Sequence, residues 1–228
     1  MIIVAKKKKD YLTTGFERFS YGLYFVGQHI YFMVMTMFLV VFFMDVGIPA
    51  TIVATIILVV RLWESISDPI LGSFIDNRKA KKGKFLSFLR ISLIAIPLAT
   101  ILIFAIPSTI PLWIKVIWAT VGYFLLDLSY SLCDIPIWGI VTTMTDKVAE
   151  RTSLMSIGRV FGLAGILLIS VAVPMARMAL GGWLPTVVIL SIVAIITMLP
   201  ACFVVKERIE PVRNEKKIGF KEIISYIC

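Results

Sequence analysis

The residues with the types and spacing for chemistry are acids set among apolar residues. The stretch RLWESISDPILG holds Glu64 and Asp68 four positions apart, with Arg61 three before Glu64. The stretch DLSYSLCDIPIW holds Asp127 and Asp134 seven apart, with Ser131 between them and Trp138 one turn beyond. Side chains three, four or seven positions apart share one face of a helix, so each stretch carries an acidic stripe. Pro69 and Pro136 follow the stripes and have no N–H, which leaves the carbonyls of Ser65 and Leu132 without their helical donor. Carboxylates beside freed carbonyls are hard oxygen ligands, suited to hard cations; in transporters, disturbed helices of this kind bind Na+ or H+ near the midplane. The competing reading has Arg61 neutralise Glu64 and Arg159 neutralise one of the Asp residues, merely joining helices, but the acids outnumber these arginines. Trp138 is placed equally well to stack on a sugar ring or to pack against a neighbouring helix.

The elements that must position these residues are membrane spans. Of 228 residues, 59% are hydrophobic and 16% charged, and the mean hydropathy is +0.96, which excludes an ordinary soluble domain. The formal charge of +9 does not indicate nucleic acid, because the basic residues cluster at the ends of apolar runs. A helix needs about 20 apolar residues to cross the hydrocarbon. Six such runs are present, roughly 19–44, 51–74, 85–106, 112–141, 154–179 and 183–205. The first is too long and polar for a cleaved signal peptide and is expected to stay. An ionisable group at the bilayer centre costs about 2.5–3.5 kcal/mol, so the four acids need a partner, a cavity or a function.

Basic residues sort to one side. They fill the N-terminal tail (Lys6 to Lys9 and Arg18), the loop after the second run (Arg78 to Lys84), the loop after the fourth (Lys147, Arg151) and the C-terminal tail, whereas Lys115 and Arg177 lie toward the other side. The positive-inside rule then predicts a multi-pass protein with both ends cytoplasmic, and the membrane expected for it is the plasma (inner) membrane. The expected divisions are a tail over 1–18, a six-helix bundle over 19–205 and the start of a central cytoplasmic loop over 206–228, where the chain looks cut short. Lys6 to Lys9 read as a topology signal, with anionic-lipid binding as the alternative. Trp113, Trp183 and Tyr21 read as interface aromatics. Cys133, Cys202 and Cys228 lack the spacing of a disulfide framework or zinc site. HExxH, GxSxG, P-loop and GxGxxG motifs are absent, so neither an enzyme nor a cofactor is expected.

SYGLYFVGQHIYF, RLWESISDPILGSFIDNRKAKKGKF, SLCDIPIWGIV and ERTSLMSIGRVFGLAG together resemble the glycoside-pentoside-hexuronide:cation symporters of the major facilitator superfamily, the melibiose permease-like group. The resemblance implies an all-α integral membrane protein whose six helices form the N-terminal half of a twelve-helix fold. It implies cation-coupled symport of a sugar or glycoside by alternating access, with the C-terminal half, the sugar, the bilayer and Na+, Li+ or H+ as partners. Glu64 and Asp68 match acidic cation ligands, and Ser131 offers a hydroxyl where the family often has Thr. Asp134, Trp138 and Arg159 match positions that hold or orient the sugar. Asp76, Arg78, Gly83 and Lys84 match the loop that latches the cytoplasmic side. Gln28 and His29 replace a Lys-Asp pair of the melibiose-type proteins, and Asp127 replaces a small residue; in the family fold His29 and Asp127 look toward the central cavity, and all three are expected to contribute to the substrate site. His29 and Asp127 form either a proton-binding pair, since histidine titrates near pH 6.5, or separate sugar contacts with Asp127 joined to Arg159 or a hydroxyl. The alternatives in function are a carrier of lipids or other amphiphiles from the same superfamily and a non-transporting six-span scaffold; the polar first-helix face of Gln28, His29 and Thr36 favours the sugar.

Overall fold

The computed structural model describes residues 11–77 and 83–209. Every regular element among them is helical: α1 (Gly15–Met33), a π-helical turn (Val34–Phe38), α2 (Leu39–Asp45), α3 (Ala50–Asn77), α4 (Lys84–Phe104), α5 (Leu112–Gly139), α6 (Val141–Met144), α7 (Val148–Leu180) and α8 (Trp183–Val204). They make six spans, since α1, the π turn and α2 run together as Gly15–Asp45, and α5 and α6 as Leu112–Met144. The expected runs agree in number and order.

Boundaries differ where polar turns belong to helices. The first span begins at Gly15 because Thr14 and Glu17 form a capping box: the Glu17 amide donates to Thr14 Oγ1 at 3.2 Å and the Thr14 amide to Glu17 Oε2 at 2.8 Å. The fifth starts at Val148, six residues before its apolar run, with Glu150 in its first turn. Both α3 and α5 remain helical through Pro69 and Pro136.

Packing reveals an order that the sequence hides. The first span lies against the fifth and sixth; the fourth lies against the second and third; the third meets the sixth. Exchanging spans one, two and three for four, five and six maps these pairings onto one another, and because the fourth span runs opposite to the first, the pattern is that of an inverted repeat. No residue-level repeat accompanies it. Spans one and four are therefore the equivalent elements at the heart of the two triplets, and they carry Gln28 and His29 on one, Asp127 and Asp134 on the other.

Small residues bring α1 close to its neighbours, as expected where backbones must approach within a membrane. At Gly27 an added Cβ would lie 2.7 Å from the Ala194 carbonyl oxygen of α8, and at Gly162 it would lie 2.5 Å from His29 Cε1. One expectation is corrected. Tyr21 is fully buried and its ring meets Phe25 edge-on at 5.2 Å, so it belongs to the core rather than to an interface belt. Trp113 is exposed at the start of α5, while Trp183 donates to Asp45 at 2.8 Å beneath the Arg177 guanidinium.

Candidate functional site

Two polar clusters lie along one face of α5, about two turns apart. The first lies between α3 and α5. Arg61 Nη1 donates to Glu64 Oε2 at 2.5 Å, an i, i+3 pair on α3, and the Ser131 hydroxyl donates to Asp68 Oδ1 at 2.7 Å across the two helices. Asp127 stands one turn before Ser131, is 2% exposed, and its Oδ2 has no hydrogen-bond partner. The charges acting on it are Glu64, Asp68 and Arg61. Arg61 is thus spent on Glu64, as the competing reading of the sequence held for that pair. Among the described residues no three acidic, histidine or cysteine side chains converge closely enough to hold a metal ion in this conformation.

The second cluster lies between α1 and α5. Gln28 Nε2 donates to Asp134 Oδ1 at 2.5 Å and to the Tyr130 hydroxyl at 3.4 Å. The Trp138 indole donates to the same Asp134 oxygen at 3.2 Å and its ring stands 4.7 Å from that of Phe25. His29 Nδ1 lies 2.7 Å from the Phe25 carbonyl oxygen, its ring is lined by Phe32 and Gly162, and the acid whose charge acts on it is Asp134. Asp134, Trp138 and His29 are half-buried, so this cluster keeps an open side. Amide and acid edged by aromatic rings can bond hydroxyls while stacking on an apolar ring face.

The structure therefore bonds Ser131 to Asp68 while Glu64, one turn earlier on α3, is paired with Arg61, and it joins Gln28, Asp134 and Trp138 in one cluster with His29 on the next position of α1. Two expected pairings do not form. Asp127 belongs with the α3 charges and not with His29, because the seven residues to Asp134 raise it about 10 Å along the helix, beside a different neighbour. Arg159, on α7, is exposed and makes no ion pair among the described residues, so it neutralises neither Asp127 nor Asp134. Tyr130 and Phe25 were missed. Tyr130 is legible in hindsight as a polar aromatic three before Cys133 and four before Asp134, but Phe25 has no local signal.

At the end of the bundle where α1 starts, Lys84 donates to the Asp76 carboxylate at 3.2 Å and to its carbonyl at 3.0 Å, and Gly83, at φ 75°, opens α4. Glu207, unflagged in the sequence, accepts from the amides of Lys84 and Leu86 at 3.0 and 2.8 Å and so satisfies the start of that helix. Arg78 lies outside the described residues. Glu17 accepts both bonds of Arg208 Nη2, at 2.7 and 2.8 Å, and Glu150 gathers Thr13, Arg18 and Thr145.

Residues 20–227 match the sequence model of a family described as MFS/sugar transport protein. The chain is 31% identical over 214 residues to the isoprimeverose transporter of Lactiplantibacillus pentosus, a match covering 90% of the chain and 44% of that protein. It is 30% identical over 201 residues to the inner membrane symporter YicJ of Escherichia coli (strain K12), covering 85% of the chain and 44% of that protein. It is 31% identical over 193 residues to the lactose permease of Leuconostoc lactis, covering 77% and 30%. The chain thus spans less than half the length of these curated relatives.

Proposed function

The chain belongs to the MFS/sugar transport protein family, whose members are transporters and not enzymes, and from that premise we propose that it supplies one half of the binding and coupling machinery of a cation-coupled sugar or glycoside symporter. The observation that carries this reading is the bond between Ser131 and Asp68, because it ties the acidic cluster to α5, the helix that also holds Asp134 and Trp138. Cation binding to Glu64 and Asp68 changes the charge beside α5 and so the affinity of the neighbouring sugar-binding cluster; by linkage the sugar changes the cation's affinity equally. Gln28, Asp134 and Tyr130 bond solute hydroxyls, Trp138 stacks on the ring, and Arg159, unpaired at the rim, meets the solute when the remainder of the transporter closes over it. Names such as isoprimeverose transporter and lactose permease among the relatives favour a disaccharide or other glycoside. Alternating access is served by the Lys84, Asp76 and Glu207 contacts, which hold the end of the bundle we read as cytoplasmic. That orientation is supported by Arg18, Lys84, Lys147, Arg151, Lys206 and Arg208 at one end against Lys115 and Arg177 at the other. The membrane is the plasma membrane on this reading. An amphiphile carrier is disfavoured by the charged and amide-lined clusters at mid-span.

The test is uptake of labelled lactose, isoprimeverose and a glucuronide by the complete transporter in proteoliposomes under imposed Na+, Li+ or H+ gradients. One glycoside should accumulate, and Glu64→Gln or Asp68→Asn should abolish cation-driven accumulation more than sugar binding. Normal gradient-driven accumulation by both variants would remove these acids from coupling.

A further inference from the structure

Asp127 is the acid that neither cluster explains. It lies at mid-span, 2% exposed, with an oxygen that no donor reaches, and it stands among the α3 carboxylates rather than in the aromatic cluster with Gln28 and Trp138. An ionised carboxylate buried without a hydrogen-bond partner is costly, and the one cation whose charge acts on it, Arg61, is shared with Glu64, to which its guanidinium is bonded at 2.5 Å. Asp68 has the Ser131 hydroxyl at 2.7 Å; Asp127 has no such donor on its Oδ2. The charged groups that act on Asp127 are Glu64, Asp68 and Arg61, all from α3, and Tyr123 lies one turn away on its own helix. The charges of α4, which packs on another side of α5, are engaged elsewhere: Lys84 with Asp76 and Arg90 with the Cys202 carbonyl at 3.1 Å. On α1, His29 is bonded to the Phe25 carbonyl and packs against Gly162 of α7, and the acid whose charge acts on it is Asp134.

We propose that Asp127 is the proton-binding group of this transporter, adding H+ coupling to the acidic cluster rather than contacting the sugar. A single proton needs one acceptor oxygen, whereas a metal ion needs several converging ligands, and the described carboxylates do not converge in threes. In the step, an O–H bond forms on Asp127 Oδ2 with a proton given up by hydronium from one aqueous side; the neutral acid loses that proton to water on the other side, so no co-reactant is consumed. Neutralising Asp127 lightens the negative charge around Asp68, and the Ser131 bond carries that change to α5 one turn before Asp134.

This inference rests on the symporter reading, and the experiment separates the two. The complete transporter is studied by infrared difference spectroscopy between acidic and alkaline pH, in the unmodified protein, Asp127→Asn and Asp127→Glu. A carbonyl band of a protonated carboxyl should appear on acidification, vanish in Asp127→Asn and return, shifted, in Asp127→Glu. In parallel, a hydrophobic carbodiimide, which adds to protonated carboxyls, should modify the Asp127 peptide of the unmodified protein at acidic but not alkaline pH, a readout that needs no variant. With the glycoside found by the uptake screen, a pH gradient alone should drive accumulation, and Asp127→Asn should lose it. A band that persists in Asp127→Asn, carbodiimide labelling that NaCl abolishes at constant pH, or accumulation under a pH gradient that Asp127→Asn leaves intact overturns the proposal. If no glycoside is carried yet the band behaves as expected, the sugar reading fails and the proton site at Asp127 stands.

Discussion

Glu150 offers the most direct test of how the bundle is held at the end where α1 begins. It is 1% exposed and accepts from the amides of Leu12 and Thr13 at 3.1 and 2.9 Å, from Arg18 at 2.9 Å, from the Thr145 hydroxyl at 2.7 Å and from the Thr13 hydroxyl. One carboxylate therefore joins the segment before α1, the segment after α6 and the first turn of α7. Glu150→Gln keeps the shape but turns one acceptor into an NH2 group that faces donors. A hydrogen bond to a charged group contributes about 1.5–3 kcal/mol, and breaking one side of a buried ion pair costs about 3–5 kcal/mol. Part of that cost is recovered by the remaining amide oxygen, so about 3 kcal/mol is the expected loss, or roughly a hundredfold in the opening equilibrium of this junction at about 1.4 kcal/mol per tenfold. Hydrogen exchange read by mass spectrometry on the complete transporter should show the Leu12 and Thr13 amides exchanging about a hundredfold faster in Glu150→Gln, because both donate to Glu150. Amides in the middle of α7 should stay slow, which separates local opening from general unfolding. Unchanged exchange at Leu12 and Thr13 would refute the reasoning, since it would mean that these donors are protected by something other than the carboxylate.

Three further outcomes follow from the clusters. Gln28→Leu removes the donor 2.5 Å from Asp134, and glycoside binding measured by titration calorimetry should weaken about 10- to 100-fold, from the 1.5–3 kcal/mol of a charged hydrogen bond; unaltered binding would take the Gln28–Asp134 pair out of the proposed sugar-binding cluster. Gly162→Ala places a Cβ 2.5 Å from the His29 ring, so the imidazole must leave the Phe25 carbonyl, and at an overpacking cost of about 1–3 kcal/mol the purified protein should melt at lower temperature and bind glycoside less tightly. Arg61→Gln leaves Glu64 without its partner; since the pair is partly exposed, 40% and 28% for the two side chains, the loss should be about 1 kcal/mol, read as reduced membrane yield, and the Arg61→Gln, Glu64→Gln double variant should regain part of it.

Local rules carried much of the architecture. Hydropathy over some twenty residues and the sidedness of basic residues are properties of contiguous sequence, so six spans were legible, and so was the sharing of a face by Glu64 and Asp68. The limits of the first and fifth spans were not, because Glu17, Arg18 and Glu150 look like loop charges until the capping box and the Thr13 contact absorb them. Tyr21 near a span end looks like an interface aromatic; only the packing of α1 against α7 and α8 puts it in the core. The partners of the acids belonged wholly to tertiary structure. Asp127 and Asp134 share a stripe on α5, but two turns separate them, so α3 charges meet one and Gln28 of α1 meets the other. The bonds that divide the acids into two clusters join residues 63 and 106 positions apart, Ser131 with Asp68 and Gln28 with Asp134. Helical periodicity fixes which side chains share a face; which face meets which helix is fixed by the rotation and height at which whole spans pack, and no window of sequence contains that.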